Sequence, residues 1–370
     1  MIYSHVEGIG NNMKLSKKEK TILAIIISIF LAITIFFFNN DFIYKKTIMK
    51  ITDIELVKEE IVENSMGIHE KIYTKKVTGI ITNGKRKGKK TTIEYAEFYS
   101  NVVTENYEIG DKVFIESSRI SGMKRDSYII IFIEIFIVLL YLLGRKRGLL
   151  TLLTIIINSG IFYAGINLYL KGINLLFLCF IISIISTIIS LSIVNGVNKK
   201  TLSAVISIII SILILSLIVI TTCKITNYSG INFTELNFLT VPYEDIFIAG
   251  ILIGGLGAIM DVSMTIVSSI SELIEKNPKI TKKALRKSGK AISKDIMGTM
   301  INVLFFTYLC SNLDIFVLAT RNGFSVINYI TSNLTIEETR FLVGAIGIVL
   351  TIPVSLNVTI KMFKKEGDKV

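Results

Sequence analysis

Long apolar runs, separated by short polar segments, organise most of this chain. Eight of them stand out: Thr21–Phe38, Tyr128–Leu143, Gly148–Leu168, Leu175–Val194, Thr201–Thr222, Asp245–Leu273, Ile292–Asp314 and Phe341–Met362. A helix of about 20 apolar residues crosses a hydrocarbon core of about 30 Å, so each run predicts a membrane-spanning helix. Two of the runs are short and need flanking residues, while Asp245–Leu273 is long enough to tilt or to extend past the membrane. Between the first and second runs the period changes. KVTGIITNG, the basic turn Lys85-Arg86-Lys87-Gly88, KKTTIEYAEF and YEIGDKVFIE alternate β-branched and polar residues around Gly/Asn/Asp turns. That pattern predicts a small antiparallel sheet or five-stranded barrel of OB or SH3 type. The expected fold is thus mainly α, a polytopic bundle of eight transmembrane helices. A small extracytoplasmic β domain is inserted between helices 1 and 2. The boundaries are 1–20 (cytoplasmic N-terminus), 21–38 (anchor helix), 39–127 (β domain), 128–362 (seven-helix membrane domain) and 363–370 (cytoplasmic tail).

Within the sixth run, polar residues fall on one stripe. At about 100° per residue, Gly254, Gly257, Asp261, Thr265, Ser268 and Glu272 occupy a face about 80° wide. The other faces hold Ile251, Leu252, Leu256, Met260, Met264, Ile266 and Ile270. A carboxylate at membrane depth costs about 2.5–3.5 kcal/mol on insertion scales, so the stripe is expected to face protein or water and the apolar faces lipid. The glycines on the stripe would let another helix approach closely.

The seventh run repeats this logic. Asp295, Gly298, Thr299 and Asn302 share one face near its cytoplasmic end, and the sixth and seventh runs are antiparallel neighbours across a short link. Their polar faces are expected to meet in the inner half of the membrane, with Glu272 near Asp295 and Lys294. The eighth run adds Gly344, Gly347, Pro353, Ser355, Asn357 and Thr359. A mid-span proline frees the carbonyl four residues earlier, at Val349, and kinks the helix; transporters use such breaks around binding sites. Ser203, Ser207 and Ser211, like Ser183, Ser186, Thr187 and Ser190, follow small-xxx-small spacing, which favours helix packing over chemistry. Glu134 is a further intramembrane acid, in the second run. Pro278 ends the sixth helix, and Ile280, Ala284, Leu285 and Ile292 then form an irregular apolar face amid lysines, as an interfacial amphipathic helix would.

Charge sets the orientation. The hydrophobic fraction is 51% and the mean hydropathy +0.62, too high for an ordinary soluble domain of this length. The net charge of +12 is one-sided along the chain. With the N-terminus inside, the cytoplasmic segments and their fringes hold 21 of the 41 basic residues, including Arg145-Lys146-Arg147 and eight between Lys276 and Lys294. The short external loops hold only Lys171, Lys224, Arg321 and Arg340. Both termini are therefore expected in the cytoplasm. The first run lacks a small-residue cleavage site after Phe36-Phe37-Phe38-Asn39-Asn40, which reads as an uncleaved anchor, and Met13 is an alternative to Met1 as the start. The abundance of Lys, Ile and Asn and the absence of Trp fit an AT-rich bacterial genome.

No catalytic chemistry is legible. The three cysteines are scattered, His5 and His69 have no ligand-like neighbours, and Gly254-Gly255-Leu256-Gly257 lacks the Lys-Ser/Thr of a phosphate loop. No metal, cofactor or nucleic acid is expected. The basic turn of the β domain could meet anionic headgroups or cell-wall polyanions, but a solvated hairpin tip is the favoured reading.

The segments GLGAIMDVSMTIVSSISEL (255–273), SGKAISKDIMGTMINVLFF (288–306) and VGAIGIVLTIPVS (343–355) resemble the YibE/F-like family of bacterial multi-pass membrane proteins. So does the order of parts: anchor, external β segment with a Gly-Asp-Lys-Val strand, Gly-Arg-Lys-Arg-Gly after the second run, then a helical bundle. Glu134 and the proline-free loop at Lys171-Gly172 depart from the family pattern. The resemblance implies an architecture in the bacterial cell membrane and carries over no activity and no catalytic residue.

Three functions fit these residues. The first is a secondary transporter or permease of a small solute or ion, with Asp261 at its polar site. The second is a non-transporting scaffold, accessory or sensing protein. Its β domain would bind an extracytoplasmic protein partner, or its helices a second copy in a homo-oligomer. The third is an intramembrane enzyme that pairs Asp261 with Glu272 or Asp295. Permease is the expected function, and no enzyme is expected.

Overall fold

A computed structural model describes residues 17–63, 69–100, 104–233 and 243–364. The segment up to residue 16, with Met13, and the tail from residue 365 lie outside the described residues. The chain divides into two compact units, Met1–Leu149 and Leu150–Val370.

In the first unit, helix α1 (Lys17–Asn39) ends in a 3-10 turn (Asn40–Ile43). Five antiparallel strands follow: β1 (Thr47–Glu63), β2 (His69–Ile81), β3 (Lys90–Phe98), β4 (Lys112–Glu116) and β5 (Arg119–Met123). Their order across the sheet is β3-β2-β1-β4-β5, and the two edge strands approach each other without ladder bonds. The core of the sheet is Met49, Ile51, Val77, Ile93, Tyr107 and Val113. Gly79 is required here: a Cβ would stand 2.5 Å from the Lys50 carbonyl oxygen. The basic turn is a short 3-10 element (Gly84–Arg86) flanked by Gly84 and Gly88 at φ +67° and +84°. Strand β1 is absent from the strand-like segments that the pattern singled out, because its run KITDIELVKEEIVE is too charged to look like a strand.

A buried polar junction ties the sheet to its flanking helices. The Asn83 side chain accepts from Ile48 N at 2.8 Å and donates to the carbonyls of Asp41, Tyr44 and Lys46. Lys124, with a side chain only 1% exposed, pairs with Asp126 at 2.8 Å and donates to the Phe37 carbonyl at 2.9 Å. Lys112 pairs with Asp41 at 2.7 Å. Asp126 also accepts from Asn40 and Tyr44. Burial of two lysines is tolerable only because each has a carboxylate and a carbonyl for its protons.

Asp126 opens helix α2 (Asp126–Leu170), which contains the second and third apolar runs. Its helical path is broken at Arg145 (φ 47°, ψ −125°), within the basic turn predicted between those runs. A Cβ on Gly148 would lie 2.1 Å from the Leu140 carbonyl oxygen, so the chain turns tightly there.

The second unit holds α3 (Leu175–Asn195), α4 (Lys199–Thr226), α5 (Tyr243–Lys276), α6 (Lys282–Cys310), the short α7 (Leu313–Arg321) and α8 (Val326–Asn333), and α9 (Thr335–Phe363). Helix α9 packs on α4, α5 and α6, and α5 also packs on α3 and α4. Two apolar clusters result. One joins α4 and α5 through Ile208, Ile212, Leu215, Ile251, Leu252 and Ile259; the other joins α5, α6 and α9 through Val262, Ile266, Ile270, Leu304, Ile348 and Leu356. Lys200 pairs with Glu275 at 3.0 Å and Lys364 donates to the Pro278 carbonyl at 2.6 Å. The start of α4, the end of α5 and the end of α9 therefore lie at one end of the bundle, and the lysine-rich start of α6 joins them there.

Among the described residues six helices are long and apolar enough to cross a membrane, or seven if α6 and α7, bent by 52°, count as one broken span. All eight predicted runs fall in helical segments, with the second and third in α2. Two boundaries differ from expectation. The amphipathic segment at 280–292 leads into and forms the first part of α6, capped by Thr281 on Ala284 N. The loop after α6 folds into α7 and α8, whose apolar residues are too few to register as a run. Helix α9 runs from Thr335 to Phe363 with Pro353 inside it.

Candidate functional site

Helix α5 buries against its neighbours the apolar faces that were expected to meet lipid, and leaves its polar stripe exposed. Ile251, Leu252, Leu256, Ile266 and Ile270 are buried, and Met260 and Met264 are half-buried against the α4–α5 cluster. Gly254, Gly257, Asp261, Thr265 and Glu272 are exposed, and Ser268 is half-buried. The reason is geometric. Two apolar flanks, one facing α3 and α4 and the other α6 and α9, together wrap well over half the helix, and the narrow polar stripe is what they leave over. On one side of it Met260 and Met264 join the α4–α5 cluster; on the other, Ala258 joins the α6–α9 cluster.

Asp261 sits midway along α5, about 22 Å from its Lys276 end at 1.5 Å per residue. Its carbonyl accepts the Thr265 hydroxyl at 2.8 Å, while its carboxylate has no hydrogen-bond or ion partner among the described residues. Glu272 pairs with Lys276 at 2.7 Å. Asp261 and Glu272 are about three turns, or 16 Å, apart along one helix, too far for a shared proton.

The polar faces of α5 and α6 do not meet. Helix α6 presents Ile296, Met297, Met300, Ile301 and Leu304 to the bundle and leaves Asp295, Gly298, Thr299 and Asn302 exposed. The Thr299 hydroxyl is spent on its own helix, on the carbonyls of Ile296 and Asp295. Asn357 and Pro353 lie on the exposed face of α9, in line with Leu342, Ile346 and Val349. The predicted polar residues of α5 and α6, and Asn357 of α9, thus lie outward with no hydrogen bond joining them across helices, whereas Ser355 and Thr359 of α9 turn inward.

The glycines divide into two groups. A Cβ on Gly254 would lie 2.5 Å from the Tyr308 hydroxyl oxygen, one on Gly344 3.1 Å from Leu304, and one on Gly347 3.0 Å from Leu215 and 3.1 Å from Ile259. These permit close packing inside the bundle. Gly257 and Gly298 have nothing within 4 Å, so their close-approach surface is unused by this chain.

The polar residues that do converge inside are hydroxyls. Ser203 on α4 bonds Thr359 on α9 at 3.1 Å, Ser355 on α9 donates to Ser263 on α5 at 2.9 Å, and Ser263 reaches the Ala204 carbonyl at 3.4 Å. Ser207, Ser211 and Thr351 continue this seam, fully buried and bonded to carbonyls four residues back. The i, i+4 spacing of Ser203, Ser207 and Ser211 was a legible signal for it; the partners on α5 and α9 were not.

In the first unit Glu134 has a partner on a neighbouring helix. Thr34 of α1 donates to its Oε2 at 2.6 Å, while Oε1 is buried without a partner beside an apolar groove of about 330 Å³ between α1 and α2. Among the described residues no group of three His, Cys, Asp or Glu side chains gathers as a metal ion would require.

The family model for YibE/F-like proteins matches residues 132–365, which contain α3 to α9 and most of α2. The model for the YibE/F family N-terminal domain matches residues 42–130, which contain the five strands. No curated protein matches the chain, and no solved structure does. The two family matches meet at the start of α2, where the polar junction joins sheet to helix, and together they cover almost all of the described residues: the chain belongs to the YibE/F-like family.

Proposed function

We propose that this membrane protein is a permease protomer for a small solute or ion, with Asp261 as the group that meets the cargo or a coupled proton. The observation that carries this is the position of Asp261. It lies mid-helix on an exposed stripe, its carboxylate unpartnered, on a helix long and apolar enough to span the bilayer. Lipid cannot solvate that carboxylate, so water or a protein surface from outside this bundle must cover it. A stripe meant only for helix pairing would need Gly257, Thr265 and Ser268, whereas the acid adds a cost that a cation or proton site explains. In this reading α2 crosses twice around Arg145, giving eight spans, the basic end of the bundle faces the cytoplasm, and the β module is an extracytoplasmic OB-type barrel. The protein is not an enzyme in this reading, since Asp261 has no carboxylate neighbour on its own helix.

A second reading, an assembly or accessory protein, is favoured by one specific observation. Gly257 and Gly298 leave room for close helix approach that nothing among the described residues occupies. Proteoliposomes separate the two. Permease activity predicts that Asp261→Asn abolishes flux of the transported solute or its proton coupling, with the protein still folded. Flux that is unchanged in Asp261→Asn for every solute tested would leave the assembly reading.

A further inference from the structure

The register of the sheet gathers basic residues at one end of the β module. β1 leaves the end of α1 and β5 leads into α2, so the end of the sheet nearest those helices is the one where Lys50 pairs with Lys112 and Met49 with Ile81. Antiparallel pairing brings the hairpin between β2 and β3, with its run from Lys85 to Lys90, to that same end. At the far end of the β1–β2 ribbon Lys58 and Lys71 are paired with Glu60 and Glu59, and Glu63 and Glu70 add further acid. A cavity of about 650 Å³ opens at the basic end. Its lining combines Lys50, Lys87 and Lys112 with the aromatic rings of Phe38, Phe42 and Tyr128 at the helix ends. Lys112 is held by Asp41, but Lys50 and Lys87 are exposed and make no ion pair among the described residues. Phe42 is 74% exposed and Tyr128 47%, so the rings are not there to complete the core of the sheet.

We propose that this cavity holds the headgroup of an anionic phospholipid from the leaflet in which α1 ends and α2 begins. Aromatic rings at the ends of spanning helices sit at headgroup depth, and lysines beside them attract anionic lipid. The rings flank the acyl–glycerol region while Lys50 and Lys87 meet the phosphate, a division that a soluble anion would not need. The inference is independent of what the α5 stripe conducts.

The full-length chain in phosphatidylcholine nanodiscs, titrated with spin-labelled phosphatidylglycerol or phosphatidylcholine, tests it. The immobilised fraction should favour phosphatidylglycerol about tenfold. Lys50→Gln/Lys87→Gln should remove that preference, and Lys58→Gln/Lys71→Gln, the same charge change at the far end of the ribbon, should keep it. Equal binding of the two lipids overturns the proposal. So does a folded Lys50→Gln/Lys87→Gln variant, judged by its melting, that keeps the preference. Displacement of the labelled lipid by millimolar inorganic phosphate overturns it as well, because the site would then serve a solution anion.

Discussion

Single residues carry the costs in this molecule, and their surroundings say how each is met. Lys124 is buried where α1, β5 and α2 converge, and Asp126 and the Phe37 carbonyl satisfy it. Lys124→Met should leave Asp126 and Asp41 short of a counter-charge and lower stability by about 3 kcal/mol, measured by denaturation of the full-length chain in detergent. Tyr44 reports on the same junction. Burial, then its hydrogen bond to Asp126, pushes its phenol up to about 12. The ordinary value of an unfolded tyrosine is about 10. The folded state therefore holds this proton more tightly, and the stabilisation is complete below pH 10 and lost as pH rises towards 12. Melting followed from pH 8 to 12 should show the wild type losing more stability over that window than Tyr44→Phe. Asp261 is the contrasting residue, a carboxylate with no compensating group among the described residues.

At the scale of elements, helix packing decides which faces are inside. The periodicity of α5 was legible from its sequence, stripe and all, but not the direction in which the stripe points. Leu and Ile are as content against another helix as against lipid, so an apolar face does not reveal which it meets. Ile251, Leu252 and Ile266 took the interior, and Asp261 and Thr265 were left outside. The seam of hydroxyls that does fill the interior is made of residues whose spacing already suggested packing. Gly347→Val should destabilise the bundle by about 1–3 kcal/mol, because the new methyls meet Leu215 and Ile259. Ser355→Ala, which loses one interhelical hydrogen bond, should cost about 0.6 kcal/mol. Gly257→Val, with open space around it, should leave the melting of the isolated chain unchanged while impairing whatever surface covers the stripe. Thermal denaturation of the three purified variants checks the order. Helices α7 and α8 were illegible because they are too short to show a run. Strand β1 was hidden by the alternating charges of its outer half, where Leu56, Val57 and Ile61 are exposed in any case.

The whole molecule has two units that part at Leu149, inside α2, beyond the β module and its change of period. The boundary of the β module and all eight apolar runs were legible, since burying a backbone in lipid demands long uninterrupted helices. What joins the helices was not, because side-chain contacts between distant segments leave no local trace. The account comes down to whether the α5 stripe meets water within the membrane. In a cysteine-free background, with Cys179, Cys223 and Cys310 replaced by alanine, single cysteines at Asp261, Thr265 and the exposed apolar position Ile346 can be challenged in intact membranes with a membrane-impermeant thiol reagent. The account predicts that Asp261→Cys and Thr265→Cys are modified and Ile346→Cys is not; protection of Asp261→Cys equal to that of Ile346→Cys would contradict it.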